Sequence, residues 1–208
     1  MKNTNIRFKD DNNKWNKQYI KNICTLTTGK LDANAAKKDG DYTFFTCGKE
    51  ILKTDTFAFD GDAILINGNG DLGFTRKYSG KFNAYQRTYV LQEFTEDYNF
   101  VEHMIKKYLP SKIKEESFGG AMPYIRSSTI TELKIPLLDN KIQCKIASLL
   151  SNIDTKIELQ EQKINNLKTF KIAMLNKMFP KEGYFVPEVR FPGFTGDWEQ
   201  FSLYKFIV

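Results

Sequence analysis

From about Asn140 to about Met178 the chain reads as one uninterrupted amphipathic helix, and no other feature limits its fold so tightly. Positions 146, 150, 153, 157, 160, 164, 167, 171, 174 and 178 step by four and three and hold Ile146, Leu150, Ile153, Ile157, Gln160, Ile164, Leu167, Lys171, Met174 and Met178. Eight of these ten are apolar, and the spacing is that of a coiled-coil seam sustained over more than four heptads. Asp139 stands where an N-cap belongs, and no Gly or Pro intervenes before Pro180. At about 1.5 Å of rise per residue the helix is about 58 Å long. Most amphipathic stripes pack on their own domain. A domain of about 140 residues, however, is only about 30 to 35 Å across, so the distal half is expected to project from it. The sequence holds no second helix of that length, which predicts that the seam is covered by a helix from another chain. Gln160 and Lys171 are polar seam positions of the kind that restrict register and orientation at some cost in stability.

The chain also repeats itself. Val189-Arg190-Phe191, six residues and Trp198 match Ile6-Arg7-Phe8, six residues and Trp15, with Leu203 and Phe206 falling where Ile20 and Ile23 fall. The offset, 190 − 7 = 183 residues, is far longer than a solenoid or propeller period and is the size of a domain. The expectation is one module, with residues 1–15 as the first copy of the repeated segment, followed by the opening of a second. A module used twice fits a function that needs two copies.

Upstream of the long helix the period is that of strands. Tyr42 to Cys47, Ala63 to Ile66, Phe74 to Tyr78 and Arg87 to Leu91 are aromatic, β-branched or apolar runs separated by glycines, which predicts a sheet with loops. From Asp97 to Leu109 the pairs Phe100/Val101, Met104/Ile105 and Tyr108/Leu109 recur at helical spacing, and Pro110 is expected to end that helix. A turn at Gly119-Gly120 and short strands at Met122 to Ile125 and Leu133 to Ile135, the latter closed by Pro136, complete the expectation. The fold class is α+β: a mixed β-sheet domain with packed helices, followed by one long coiled-coil-type helix. At 208 residues and 41% hydrophobic content the chain can bury one good core.

The net charge of +6 and pI near 9.0 favour an acidic partner, nucleic acid being the commonest. Cys24, Cys47 and Cys144 are odd in number, far apart and without nearby histidines, which points to a reducing compartment and incidental thiols. Met1 to Asn13 lacks the apolar stretch of a signal peptide, and no 18-residue apolar run occurs, so a cytoplasmic protein with no membrane partner is expected.

Catalytic chemistry finds little footing. Gly68-Asn69-Gly70-Asp71-Leu72-Gly73 has the dinucleotide-binding spacing, but the third glycine must open a helix, and Phe74 to Gly80 reads as a strand and turn. His103 is the single histidine and is expected on the surface of its helix. Glu132-Leu133-Lys134 has half of a metal-dependent nuclease pattern without its paired acid. With no amino-methyltransferase motif and no phosphate-binding loop, no enzyme activity, metal or cofactor is expected of this chain itself. The predicted loops instead carry Lys30, Lys37, Lys38, Lys49, Asn67, Asn69, Arg76, Lys77, Gln86 and Arg87. Lysine and arginine neutralise phosphates, whereas Asn, Gln and Arg pair bidentately with adenine and guanine edges. Lys49, Asn67, Asn69, Gln86 and Arg87 stand at strand ends beside glycines or aromatics and are the expected base-reading cluster.

The segment Val189-Arg190-Phe191-Pro192-Gly193-Phe194-Thr195-Gly196-Asp197-Trp198-Glu199 resembles the opening of the repeated halves of specificity (S) subunits of type I restriction-modification systems. The likeness continues through Thr27 to Lys30, Phe44 to Cys47, Phe57 to Gly61, Asn67 to Gly70, Phe82 to Val90, Ile135-Pro136 and Lys145 to Ala147. It implies a target recognition domain over residues 1–138, a spacer and dimerisation helix over 139–179, and the start of a second, truncated repeat over 180–208. In that family two recognition domains read the halves of a split double-stranded DNA site. They are held apart by paired helices on which modification (methyltransferase) subunits, and through them restriction subunits, assemble. The resemblance therefore implies a half-subunit that pairs with a second copy, or with another half-subunit, to read a split and palindromic site. Two alternatives are a recognition fragment of a fused restriction-methylation enzyme and an inert decoy that binds modification subunits.

Overall fold

The structure, a computed structural model, describes residues 15–117, 124–199 and 201–205. The first copy of the Arg-Phe motif, the Gly119-Gly120 turn, Met122 and Phe206 lie outside the described residues. The chain divides into two compact units, one reaching to Ser151 and the other beginning at Asn152.

Strand β5 (Asp62–Asn67) is the axis of the first unit. Its run Ala63-Ile64-Leu65-Ile66 is 0% exposed throughout, because successive strand side chains point to opposite faces and both faces are covered. Ile64 and Ile66 join a cluster with Leu91, Phe100, Ile105 and Ile130. Ala63 and Leu65 join Phe45, Phe82, Ala84 and Val90 in a second. Each fully buried Ile, Leu or Phe contributes about 1.5–3 kcal/mol, so this central strand commits the domain to its layers.

The four-stranded antiparallel sheet runs β2 (Thr25–Thr28), β8 (Thr88–Gln92), β5, β6 (Thr75–Ser79). Helix α1 (Tyr98–Glu116) packs on one face. A three-stranded sheet, β4 (Ile51–Thr54), β3 (Tyr42–Phe45) and β7 (Phe82–Ala84), covers the other, with β3 and β7 parallel. A two-stranded ribbon pairs β1 (Asn16–Tyr19) with β9 (Lys134–Leu137), preceded by the short helix α2 (Ser127–Thr131). The expected single sheet is thus three, because β5 needs cover on both faces.

Several local expectations are corrected. Pro110 lies inside α1, which continues to Glu116. The proline sits on the exposed face, where the carbonyl it leaves without a donor can be hydrated. Asp97 caps α1 by accepting from the Phe100 amide at 2.8 Å. Pro136 lies within β9 opposite Lys17, on a strand paired only with β1 among the described strands, so its missing N–H costs no ladder bond. Tyr124 and Ile125 are not in a strand. His103 is not a surface residue: its side chain is 10% exposed, with Nε2 3.4 Å from Ser151 Oγ and Nδ1 3.9 Å from the buried Glu102 carboxylate.

Helix α3 spans Asn140–Met178 as its period requires. The Asp139 carboxylate caps it by accepting from the Lys141 amide at 2.9 Å. Ile142, Gln143 and Ala147 are buried, and Ile146 packs against the domain core, so the first turns of the stripe serve their own domain. From Ile153 the stripe is open, with Ile153, Ile157, Ile164 and Leu167 about half exposed.

In the second unit the helix is followed by a tail that folds on its end. The Val189 amide donates to the Lys177 carbonyl at 3.0 Å, and the Trp198 amide to the Phe185 carbonyl at 2.7 Å. The Trp198 ring meets Phe179 edge-on at 5.4 Å, and the Arg190 guanidinium donates to the Gly196 carbonyl. The tail holds a 3-10 turn at Leu203–Lys205, and the first unit holds one at Ile20–Asn22. Their separation, 203 − 20 = 183 residues, is the sequence offset again.

Candidate nucleic-acid interface

Three chain segments meet where β3, β5 and β7 end. After β5 the backbone turns through Gly68, whose amide donates to the Arg87 carbonyl at 2.9 Å. A Cβ at Gly68 would lie 2.5 Å from that oxygen, so only glycine allows the approach. Cys47, just past β3, donates its Sγ–H to the same Arg87 carbonyl at 3.2 Å. The Asn67 side-chain amide donates to the Cys47 carbonyl at 2.8 Å. A fourth segment joins from the front: Gln86 donates from its backbone amide to the Leu31 carbonyl at 3.0 Å and from Nε2 to Asp32 Oδ1 at 2.9 Å.

Arg76 ties this cluster from below. It points up from β6 and donates to the Gly48 and Lys49 carbonyls. Its guanidinium lies 4.8 Å from the Phe74 ring centroid and 5.4 Å from that of Phe45. Burial pushes its pKa down and the facing Cys47 opposes that shift. An arginine held between two rings and two carbonyls is a structural clamp, its fork satisfied before any ligand arrives.

The structure therefore separates the ten candidates. Lys30, Lys49, Asn69, Gln86 and Arg87 belong to the converging segments, and all but the half-buried Asn69 are exposed. Lys49 also reaches over the Phe74 ring at 5.9 Å. Asn67 is 1% exposed, beneath this surface rather than on it, and Arg76 is spent on the loop backbone. Asn67 Oδ1 and Asn69 Oδ1 are both buried without a hydrogen-bond partner. Lys77 points to the other face of β6, donating to Asn99 Oδ1 at 2.7 Å and lying 3.9 Å from Glu102. Lys37 and Lys38 are exposed at the β4 edge, where the Lys37 amide donates to the Lys53 carbonyl at 2.8 Å.

Sequence reasoning missed Cys47 and Asp32. Cys47 links Asn67, through its carbonyl, to the Arg87 carbonyl, through its Sγ–H, and a lone cysteine in a glycine-rich loop carries no signal of that in the sequence. Asp32 matters because it orients Gln86. The Gly-x-Gly-x-x-Gly segment leads into β6 rather than a helix, so it provides no helix N-terminus for a pyrophosphate. No cluster of three or more His, Cys, Asp or Glu side chains able to hold a metal ion occurs among the described residues. No helix among them is long and apolar enough to cross a membrane.

The exposed Lys30, Lys49, Gln86 and Arg87 bring together side chains of the types that can pair with phosphates and base edges. Comparisons with known proteins point the same way. The family model for the type I restriction modification DNA specificity domain matches residues 12–169. The specificity subunit of the type I restriction enzyme EcoDI from Escherichia coli is 36% identical over 180 residues, which are 85% of this chain and 40% of that protein. A relative from Mycoplasma genitalium is 26% identical over 183 residues, 85% of this chain and 48% of its own. The chain thus spans less than half the length of these curated relatives. In fold it is similar to the S subunit of a type I restriction-modification system from M. genitalium, with a TM-score of 0.66 at 24% identity over 82% of this chain and 47% of that one. It is similar also to the HsdS subunit of Thermoanaerobacter tengcongensis, with a TM-score of 0.51 at 16% identity over 84% and 46%.

Proposed function

The chain belongs to the family of type I restriction-modification DNA specificity domains, and from that membership we propose that it is a sequence-reading and scaffold subunit. Residues 1–138 serve as the target recognition domain, 139–179 as the spacer helix and 180–208 as the opening of a second repeat. The observation that carries this is the convergence of Lys30, Lys49, Asn69, Gln86 and Arg87 on one floor. Lys30 and Lys49 neutralise phosphates of double-stranded DNA, while Asn69, Gln86 and Arg87 meet base edges. Asn67 and Arg76 hold the loops that present them. Methyl transfer and cleavage are left to modification and restriction subunits, and this chain is not itself an enzyme.

The open stretch of the stripe from Ile153 to Leu167 supports pairing with a second copy through α3. A closed two-fold pair presents two recognition domains and reads a split palindrome whose spacing the helices set. Modification subunits dock on that scaffold. The test is co-purification with a modification subunit followed by mapping of methylated adenines. A defined two-part target, with no S-adenosylmethionine binding by the isolated chain, is the expected result. Binding of S-adenosylmethionine by this chain alone would favour a piece of a fused restriction-methylation enzyme, and co-purification without methylation would favour a decoy.

A further inference from the structure

Ile125 belongs to no strand, yet it is bonded into the loops that end β5 and precede β8. Its amide donates to the Gly68 carbonyl at 2.7 Å, while the Gly68 amide donates to the Arg87 carbonyl at 2.9 Å. Three segments distant in sequence are thus joined in one row of main-chain hydrogen bonds, Arg87 to Gly68 to Ile125. The Ile125 carbonyl accepts from the Tyr89 hydroxyl at 2.7 Å. Its side chain, 1% exposed, lies in the main core cluster. With both backbone groups and the side chain committed, its place beside Gly68 is fixed.

The residues on either side of this anchor are in solvent. Tyr124 is 47% exposed, and Arg126 is exposed. The Arg126 backbone is extended (φ −84°, ψ 154°), and its carbonyl accepts from the Thr129 amide at 3.1 Å. Its side chain is not held in the same way. The Arg76 fork is spent on the Gly48 and Lys49 carbonyls, whereas the Arg126 guanidinium makes no hydrogen bond or ion pair among the described residues. The Glu116 carboxylate is bonded instead by Thr129 Oγ1 at 2.5 Å and Lys112 at 3.2 Å, and Arg126 acts on it only through space, as the smallest of the influences on it.

Hydrogen-bonded backbones lie about 4.8 Å apart, so two such steps put Ile125 about 10 Å from Arg87. In a duplex whose major groove is about 12 Å wide, that offset leads from base edges to a bordering phosphate. Arginine and tyrosine are both donors to phosphate oxygens.

We propose that Tyr124 and Arg126 grip the phosphate backbone of double-stranded DNA beside the bases met by Gln86 and Arg87. The Arg126 guanidinium pairs with one phosphate, and the Tyr124 hydroxyl donates to a phosphate oxygen. Contacts of this kind set register and carry no sequence information. Ile125 holds the pair at a fixed spacing from Gly68, and so from the base-reading loop. The grip presupposes the DNA-reading function proposed above and adds to it the segment that seats the duplex.

Binding of the full-length chain, alone and with a modification subunit, to two duplexes of unrelated sequence tests this over a range of salt concentrations. Arg126→Gln is expected to lower affinity for both duplexes about tenfold near 0.1 M salt and to reduce the slope of log K against log salt by about 1, one counterion fewer being released. Arg126→Lys keeps the charge and should keep the slope. Tyr124→Phe removes a donor but no charge, so it should lower affinity for both duplexes severalfold at an unchanged slope. A structural role alone would not move the slope in Arg126→Gln and spare it in Arg126→Lys. An unchanged slope in Arg126→Gln, a loss seen with one duplex only, or full affinity in Tyr124→Phe overturns the inference. A parent chain that binds neither duplex in either state overturns the DNA-reading function itself. A parent that binds, is weakened by Arg87→Ala and is indifferent to Arg126→Gln keeps that function and loses this contact alone.

Discussion

Asn67 Nδ2 donates to the Cys47 carbonyl at 2.8 Å, across 20 residues of sequence, and so ties the end of β5 to the end of β3. Because Asn67 is 1% exposed, this bond is made out of water, where losing one partner leaves the other unsatisfied. Asn67→Leu is expected to destabilise the domain by about 1–3 kcal/mol. It should also weaken binding to all DNA sequences alike, because the whole loop floor loosens. Chemical denaturation paired with binding to matched and mismatched duplexes checks this. Loss confined to one base position would return Asn67 to the reading surface.

Gln86 and Arg87 should behave differently from Lys37 and Lys38. Gln86→Ala or Arg87→Ala is expected to cost roughly 1–3 kcal/mol and to blur one base position, while the lysine changes lower affinity uniformly and flatten its salt dependence. Methylation-site mapping for each variant is the measurement. Uniform loss from all four changes would remove the assignment of base readers.

Ile157 is 50% exposed on the α3 stripe. Ile157→Asp buries a charge in any paired seam, at a cost that pairing cannot recover, but removes nothing from the domain core. Sedimentation should therefore shift to monomer while the thermal unfolding of residues up to Ser151 stays within about 0.5 kcal/mol, the usual range for exposed sites. A variant that remains paired would place the contact elsewhere.

Glu116 accepts a hydrogen bond from Thr129 Oγ1 at 2.5 Å, and this bond is the main influence holding its carboxyl below the usual range, with Lys112 at 3.2 Å adding to it. A lowered folded pKa means stabilisation that is present above the ordinary glutamate value, about 4.3, and lost as pH falls through the lowered one. Thr129→Val removes the hydroxyl. Its melting temperature should trail the parent most near neutral pH, with the gap closing below about pH 4. A gap that stays constant with pH would assign the effect to packing instead.

The elements legible in the sequence are those whose signal is local. α3 begins and ends where its heptads, Asp139 and Pro180 put it, because a helix is set by neighbours three and four residues apart. β5 was legible as an apolar run, and α1 as a periodic stripe. The short strands β1, β2, β4 and β7 escaped, since residues such as Asn16–Tyr19 have little strand propensity and become a strand by pairing with β9. Pro110 and Pro136 misled for a related reason. The cost of a proline depends on which way its missing N–H faces, and only the surroundings decide that.

The sequence by itself determined the long helix with its apolar stripe, the 183-residue repeat, the basic balance and the candidate set of loop cations and amides. Only the tertiary structure decided which of those candidates lie together. Lys30, Lys49, Asn69, Gln86 and Arg87 come from segments up to 57 residues apart in sequence (87 − 30), joined by hydrogen bonds between strand ends. Asn67, Arg76 and Lys77 were drawn away to inner partners. Alternation along β6 sends Arg76 to one face and Lys77 to the other, and burial then gives each a partner within the protein. Such choices are made by three-dimensional neighbours, which a linear pattern does not contain.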